Sequence, residues 1–374
     1  MKIGIDASRA NEKKKTGVSW YAFYLIQELK KIIPDNVQVV LYSRESLQGE
    51  LVNLPDNWTQ KVLKWPPKKF WTQIRLSWEM MFHRPDVLFV PAHVFSIIHP
   101  KKTVMTVHDV AAVKFPESYN WFERWYSVWS ARVALKKLWR IIVPTNFVAT
   151  ELKKQETRNK KQKDNIFAVH HGYDKRYKKI EDEAKIVDVL EKYGIKKPFI
   201  MTIGRIEEKK NTKRIVEAFD ELRIKNYELR LVLVGKPGHG YEKVQATIGQ
   251  SEFKDDIITP GWVDEEDLSY LINSAEVFVF PSLYEGFGIP VLEAMACGTP
   301  VVASKGSSLE EVGGEAVLYV DPKSVENIAE TIKQLIDNKE LREEKIKLGF
   351  ERVKEFSWKK CAEKTLKILI EENQ

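Results

Sequence analysis

Two glutamates with seven residues between them, Glu285 and Glu293, bracket the stretch richest in chemistry: Phe280-Pro-Ser-Leu-Tyr-Glu285-Gly-Phe-Gly-Ile-Pro-Val-Leu-Glu293-Ala-Met-Ala-Cys-Gly298. It reads as strand, glycine loop, helix. Pro290 suits a first helical position and Gly298 the position just past a helix end. The helix N-terminus then opens on Gly286, Phe287, Gly288 and Ile289, whose amides would attract phosphate, and the glycines allow close backbone approach. A carboxylate accepts from two neighbouring hydroxyls at once, so the pair suits a polyhydroxylated ligand such as a ribose or hexose. The plain alternatives are an acid in the first turns favouring the helix dipole for Glu293 and an ordinary loop acid for Glu285.

A second constellation follows the strand 199–203: Gly204-Arg205, then Lys210-Asn211-Thr212 at a helix entrance. An arginine fork and a lysine point charge near a helix N-terminus can neutralise a departing diphosphate without a metal. No Asp-x-Asp pair is available to hold a divalent ion, which favours that arrangement. With 60 basic residues in the chain, chance placement is the competing reading. In the first half, His108-Asp109 ends a strand and forms a titratable pair where α/β sites lie. Thr16-Gly17-Val18 enters the first long helix and offers amides to a ligand, or is a plain entry turn. Gly235, Gly238 and Gly240 fail both the phosphate-loop and the dinucleotide spacing.

These groups need a scaffold of alternating elements, and the chain supplies one. Strand-like apolar runs (2–6, 37–42, 87–90, 103–107, 140–143 and 166–169) alternate with amphipathic stretches at 18–31 and 121–137. After a polar stretch at 173–185, read as a linker, a second series begins: strands at 199–203, 231–234, 257–259, 277–280, 301–303 and 316–319, and helices at 212–223, 265–273, 290–297 and 325–338. The class is α/β: two doubly wound halves with a ligand cleft expected between them. A length of 374 residues fits two domains.

With 43% hydrophobic and 30% charged residues, the chain can bury a core. Two cysteines, Cys297 and Cys361, exclude a disulfide framework or a four-cysteine zinc site. Met1 to Asp6 reads as a buried strand, so no leader is expected, and no apolar run reaches the roughly 20 residues of a membrane span. The expected location is cytoplasmic. A net charge of +7 favours anionic partners. Basic residues cluster at 13–15, 68–69, 153–163 and 175–179. Trp65-Pro-Pro-Lys68-Lys69-Phe-Trp71, followed by Ile74, Leu76 and Trp78, interleaves aromatics and bases as interfacial anchors do, with buried helix packing as the alternative. Peripheral contact with an anionic inner-face membrane is the expectation there. Nucleic acid is not expected, since no RNA-binding motif accompanies these residues.

Taken in order, these blocks resemble the group 1, or family 4, retaining glycosyltransferases of the GT-B architecture. The likeness covers essentially the whole chain. Glu285, seven residues and Glu293 in their glycine-proline context carry it, with Gly204-Arg205, Lys210-Asn211, Leu231 to Gly235, Gly261-Trp262-Val263 and Val107-His108-Asp109 in the expected order. The resemblance implies two Rossmann-like domains facing a cleft, an acceptor-binding domain at 1–178, a donor-binding domain at 179–355, and a last helix at 356–374 crossing back. It implies sugar transfer from a nucleoside diphosphate donor to a glycan or lipid-linked acceptor in polysaccharide biosynthesis, with no cofactor or metal. It leans towards a mannosyltransferase using GDP-mannose, with UDP-sugars as the alternative and a sugar-nucleotide epimerase or a non-catalytic binding protein as different classes. Arg205 and Lys210 would hold the diphosphate, Glu293 the ribose and Glu285 the transferred sugar. The amides of Phe287, Gly288 and Ile289, beside Gly286, would meet sugar and phosphates. Gly17 would approach from the other domain, Val263 would sit near the base and His108 near the reacting carbon. The donor phosphate itself would take the acceptor proton. Where the family often has two glycines at the entrance loop, this chain has Thr16-Gly17-Val18.

Overall fold

The strands of this chain are near-continuous runs of Val, Ile, Leu and Phe, the composition of parallel strands covered on both faces. The computed structural model describes residues 1–67, 70–155 and 165–371. Lys68, Lys69 and positions 156–163 of the 153–163 cluster lie outside the described residues. Two compact units emerge: Met1–Gly172 with Ser357–Gln374, and Tyr173–Phe356.

In the first unit the order is β1 (Lys2–Asp6), α1 (Gly17–Ile32), β2 (Gln38–Ser43), β3 (Trp58–Val62), a π-helical turn Trp71–Leu76 running into α2 (Ser77–Phe82), β4 (Val87–Val90), β5 (Lys102–Thr106), α3 (Ala111–Lys114), α4 (Trp121–Lys137), β6 (Arg140–Val143), α5 (Asn146–Lys153) and β7 (Ile166–Ala168). Its seven strands pair in the order β3-β2-β1-β4-β5-β6-β7, all parallel. The second unit holds α6 (Glu183–Lys192), β8 (Phe199–Ile203), α7 (Thr212–Ile224), β9 (Arg230–Val234), α8 (Tyr241–Gln250), β10 (Ile257–Gly261), α9 (Glu265–Ser274), β11 (Val277–Phe280), α10 (Ile289–Cys297), β12 (Val301–Ser304), α11 (Ser308–Gly313), β13 (Val317–Val320), α12 (Val325–Asp337) and α13 (Lys339–Val353). Its six strands run β10-β9-β8-β11-β12-β13, again parallel. The closing helix α14 (Trp358–Ile370) belongs to the first unit.

The period of two in each strand builds two cores on the second sheet. Phe199, Met201, Val232, Val234, Phe278 and Phe280 join one cluster with α9 and α10, while Ile200, Leu231, Leu233, Val277 and Val279 join another with α7 and α12. On the first unit α14 packs on α1. The Trp358 ring stacks on Tyr24 at 5.3 Å, and the buried Arg140 guanidinium donates to Ile368 O at 2.6 Å.

Several sequence expectations need correction. The polar stretch 173–185 is not a free linker. Tyr177 is buried, the Ile180 amide donates to Asn273 Oδ1 at 2.9 Å, and Asn273 Nδ2 donates to Lys178 O at 3.0 Å, so the segment is bound along α9 and runs into α6. Polar side chains hid this because the binding is through backbone. The edge strand β3, with alternating Thr59, Gln60 and Lys61, was also not foreseen. Trp71 is fully buried and donates to Leu63 O at 2.8 Å, which is core packing, whereas Trp78 is 60% exposed.

At the ends of β8 and β9 the chain backs pass very close. Gly235 has φ +146°, and a Cβ there would lie 1.7 Å from Gly204 O. Gly235→Ala is therefore expected to destabilise the second unit by about 3 kcal/mol or more, from backbone clash and strain together. Gly249→Ala, inside α8 with open space around it, should raise stability by about 0.5 kcal/mol. Urea unfolding of the two variants checks both, and an unchanged midpoint for Gly235→Ala would refute the first.

Candidate active site

In the second sheet the strand order reverses between β8 and β11, and loops leaving the carboxyl ends of two such strands diverge to form a crevice. The loop after β8 carries Arg205 and Lys210, and the loop after β11 carries Glu285 to Gly288. Lys210 Nζ lies 2.5 Å from Glu285 Oε1 and 4.9 Å from the centroid of the Phe280 ring. Both side chains are largely buried, at 20% and 12% exposure, so the pair interacts more strongly than a surface pair and would be costly to break by removing one partner.

Asn211 fixes that geometry. It is buried, adopts the left-handed conformation at φ +61°, and its Nδ2 donates to Pro281 O at 3.0 Å and Pro322 O at 2.6 Å. Beside it, the Leu283 amide donates to Lys209 O at 2.9 Å. These bonds tie the loop after β8 to those after β11 and β13. From the other side, Ser308 Oγ donates to Glu285 O at 2.9 Å and Phe287 O at 3.3 Å, bracing both ends of the glycine loop.

Gly288 is the N-cap of α10, with φ +102°, and a Cβ there would meet Leu309 Cδ2 at 2.3 Å. Pro290 has no N–H, and among the described residues the amides of Gly288 and Ile289 have no partner. The N-terminus of α10 is thus open to an anion. The Phe287 side chain is core, 5.9 Å from the Phe356 ring, and Val263 is buried in the same core, so neither side chain is offered to a ligand. Gly286 is half-exposed in the loop. Arg205 is 70% exposed, and its nearest carboxylate is Glu207 at 3.9 Å. The structure brings Lys210 and Glu285 together and leaves Arg205 reaching into solvent.

Glu293 sits in the second turn of α10. One turn from Ile289 and one from Cys297, it faces the 174–177 segment. The residue is partly exposed while its carboxyl is enclosed; burial first, then the neighbouring Asp174, push it up to about 8, with Arg176 opposing. Arg176 is already engaged by Asp174 at 2.7 Å and Glu265 at 3.6 Å. The two glutamates of the motif thus differ in kind: Glu285 is paired with a lysine, and Glu293 is held neutral among acids.

In the first unit the strand order reverses between β1 and β4. Gly17 is the exposed first residue of α1, with nothing within 4 Å of a Cβ placed there. His108 follows β5, is buried, and has Nε2 at 3.3 Å from Pro91 O. Its ring packs against Tyr21 at 4.6 Å and His93 at 5.2 Å, and burial followed by His93 pushes it down to about 3. Asp109 opposes that shift, and its Oδ1 accepts from the Ala111 amide at 2.9 Å. Among the described residues no group of three or more His, Cys, Asp or Glu is arranged to hold a metal ion.

A sequence model described as "Glycosyl transferases group 1" matches residues 186–352, and one described as "Glycosyltransferase Family 4" matches residues 15–176. Each half of the chain thus belongs to a glycosyltransferase family. Among relatives, the Escherichia coli O-antigen chain mannosyltransferase B is 36% identical over 185 residues, 49% of each chain. The MMP alpha-(1->4)-mannosyltransferase of Mycolicibacterium hassiacum is 37% identical over 164 residues, 42% of this chain and 39% of the relative. The chain spans about half the length or less of these curated relatives. Among solved structures, Anabaena HepE in complex with UDP-glucose matches with TM-score 0.75 at 15% identity over 99% of both chains. The sucrose-phosphate synthase of Thermosynechococcus elongatus matches with TM-score 0.74 at 18% identity over 98% of both. These likenesses are of fold, the GT-B fold with two Rossmann-like units.

The sequence alone gives Asn211 and Ser308 no role. Asn before a helix tolerates a left-handed backbone and is the one local signal for the first; nothing local marks Ser308. Asn211→Ala is expected to cost about 2 kcal/mol, since one buried and one part-buried carbonyl lose their donor, and to weaken diphosphate binding through Lys210. Urea unfolding and nucleotide titration read the two effects, and an unaltered affinity would remove Asn211 from the site. A second expectation concerns pH. The unfolded Glu293 carboxyl ionises near 4.5 while the folded one holds its proton to about 8, so its favourable contribution is complete below pH 4.5 and lost as pH rises through 8. Glu293→Gln should flatten that decline in thermal melts from pH 5 to 9, and parallel curves for variant and wild type would show the carboxyl is ionised throughout.

Proposed function

We propose that the chain is a retaining, metal-independent hexosyltransferase that moves mannose from GDP-mannose to an acceptor hydroxyl of a glycan or lipid-linked saccharide. The observation that carries the reading is the enclosed Lys210–Glu285 pair beside the open amides of α10. The names of the mannosyltransferase relatives support the choice of sugar.

In this reading the bond between the anomeric carbon and the diphosphate oxygen breaks, and the acceptor oxygen bonds to the same face of that carbon. The acceptor proton passes to the departing phosphate. Lys210, the exposed Arg205 and the amides of Gly288 and Ile289 meet the negative charge that develops on the leaving group, which is where fixed donors lower a barrier most. Glu285 orients Lys210 before the donor arrives and accepts from sugar hydroxyls afterwards. Glu293 accepts from the ribose diol, which favours its ionised form. A neutral His108, whose Nε2–H donates to Pro91 O, offers Nδ1 as an acceptor to a hydroxyl and takes no part as an acid at neutral pH.

Calorimetric titration with GDP, UDP, ADP and dTDP in EDTA tests the reading. GDP is expected to bind most tightly, with Lys210→Ala and Glu293→Ala each weakening it by about tenfold or more, as loss of a charge-assisted bond does. Tighter UDP binding would move the donor to a UDP-sugar, and binding of none, or only with added magnesium, would overturn the donor site. Product analysis with donor alone separates transfer from epimerisation.

A further inference from the structure

We infer that one outer face of the first unit, built from the Trp71–Phe82 helical segment and α4, docks on an anionic lipid bilayer. Along the first segment Ile74, Trp78 and Phe82 recur at four-residue spacing and are 48%, 60% and 59% exposed, while Trp71, Leu76 and Met80 fill the opposite, buried side. On α4, Trp121 and Trp125 repeat the spacing at 79% and 55% exposure. The two elements meet through the Phe70 and Phe122 rings, 5.8 Å apart, and Phe122 in turn contacts both Trp121 and Trp125. A run of aromatics this size, left in water, is far more than the scattered apolar residues a soluble surface carries.

Charge selects the occupant. Helix α4 carries Arg124, Arg132, Lys136 and Lys137, all exposed, against one acid in its sequence, Glu123. A second copy of the chain docking by the same face would bring these like charges together, whereas anionic headgroups neutralise them. Tryptophan with Arg and Lys is also the composition that sits at the level of bilayer headgroups. No described helix is long and apolar enough to cross a membrane, so the face lies on the bilayer. The contact is therefore centred on Trp78, Trp121 and Trp125, and needs neither the buried Trp71 nor Lys68 and Lys69, which lie outside the described residues.

Co-sedimentation of the full chain tests this with vesicles of phosphatidylcholine alone and with 30% phosphatidylglycerol (about one anionic lipid in three). The wild type should bind the anionic vesicles, more weakly in 0.5 M salt (a Debye length of roughly 4 Å). Trp78→Ser combined with Trp121→Ser and Trp125→Ser should lower binding by about tenfold or more. Arg124→Ala with Arg132→Ala should lower it for anionic vesicles alone. Nucleotide titration and thermal melts show whether the variants are folded. The inference fails if the wild type ignores anionic vesicles, if a folded triple variant sediments like wild type, or if wild type is a dimer that the triple variant dissolves.

Discussion

The arrangement around Lys210 depends on one buried amide. Parallel strands leave their carboxyl-end loops without a ladder to satisfy them, and two of those loops here carry Pro281 and Pro322, whose buried and part-buried carbonyls need donors. Asn211 supplies both from one side chain, and to reach them its backbone takes the left-handed form. The residue before it is then delivered to Glu285. A loop lysine would otherwise sample many rotamers, and a cation held in place before its ligand arrives stabilises developing charge without reorganising at the moment of reaction.

The same helix separates the two acids of the motif by environment. Glu285, at the loop, meets a cation and accepts its hydrogen bond. Glu293, two turns further on, is enclosed near Asp174 and Glu265, whose shared arginine is already occupied, so its proton stays. A polyhydroxylated ligand reaching Glu293 would supply donors that favour ionisation, and binding there would release a proton near neutral pH. Two residues of one type, eight apart, thus serve different chemistry because one is paired and the other desolvated.

Much of the fold was legible because apolar runs and their spacing report burial directly. The boundaries of β1, β4, β6, β8, β11 and α4 match the apolar pattern to the residue. What failed was carried by backbone: the bound segment after Tyr173 uses amides and carbonyls that polar side chains conceal, and β3 is an edge strand whose outer residues are polar. At the site, residue types revealed Lys210, Glu285 and the glycine loop. They could not reveal that Phe287 and Val263 turn into the core, nor that His108 is kept neutral, since both follow from neighbours far apart in sequence.

The aromatic stretch beginning at Trp65 shows the limit most clearly, because both readings of it are true of different residues. Trp71 faces inward and Trp78 outward on one helical segment, a separation that spacing permits but composition cannot assign. The outward set also makes sense against α13. That helix is similar in length to α4 and likewise exposed, yet it covers itself with charge, as in Lys339–Glu343 at 3.8 Å. Such pairs contribute little stability but keep a surface wet. Helix α4 places tryptophans where α13 places ion pairs, and surrounds them with bases. A surface that needed only water would have no cause to differ so far from its counterpart, so the difference itself argues that α4 meets something apolar and negatively charged.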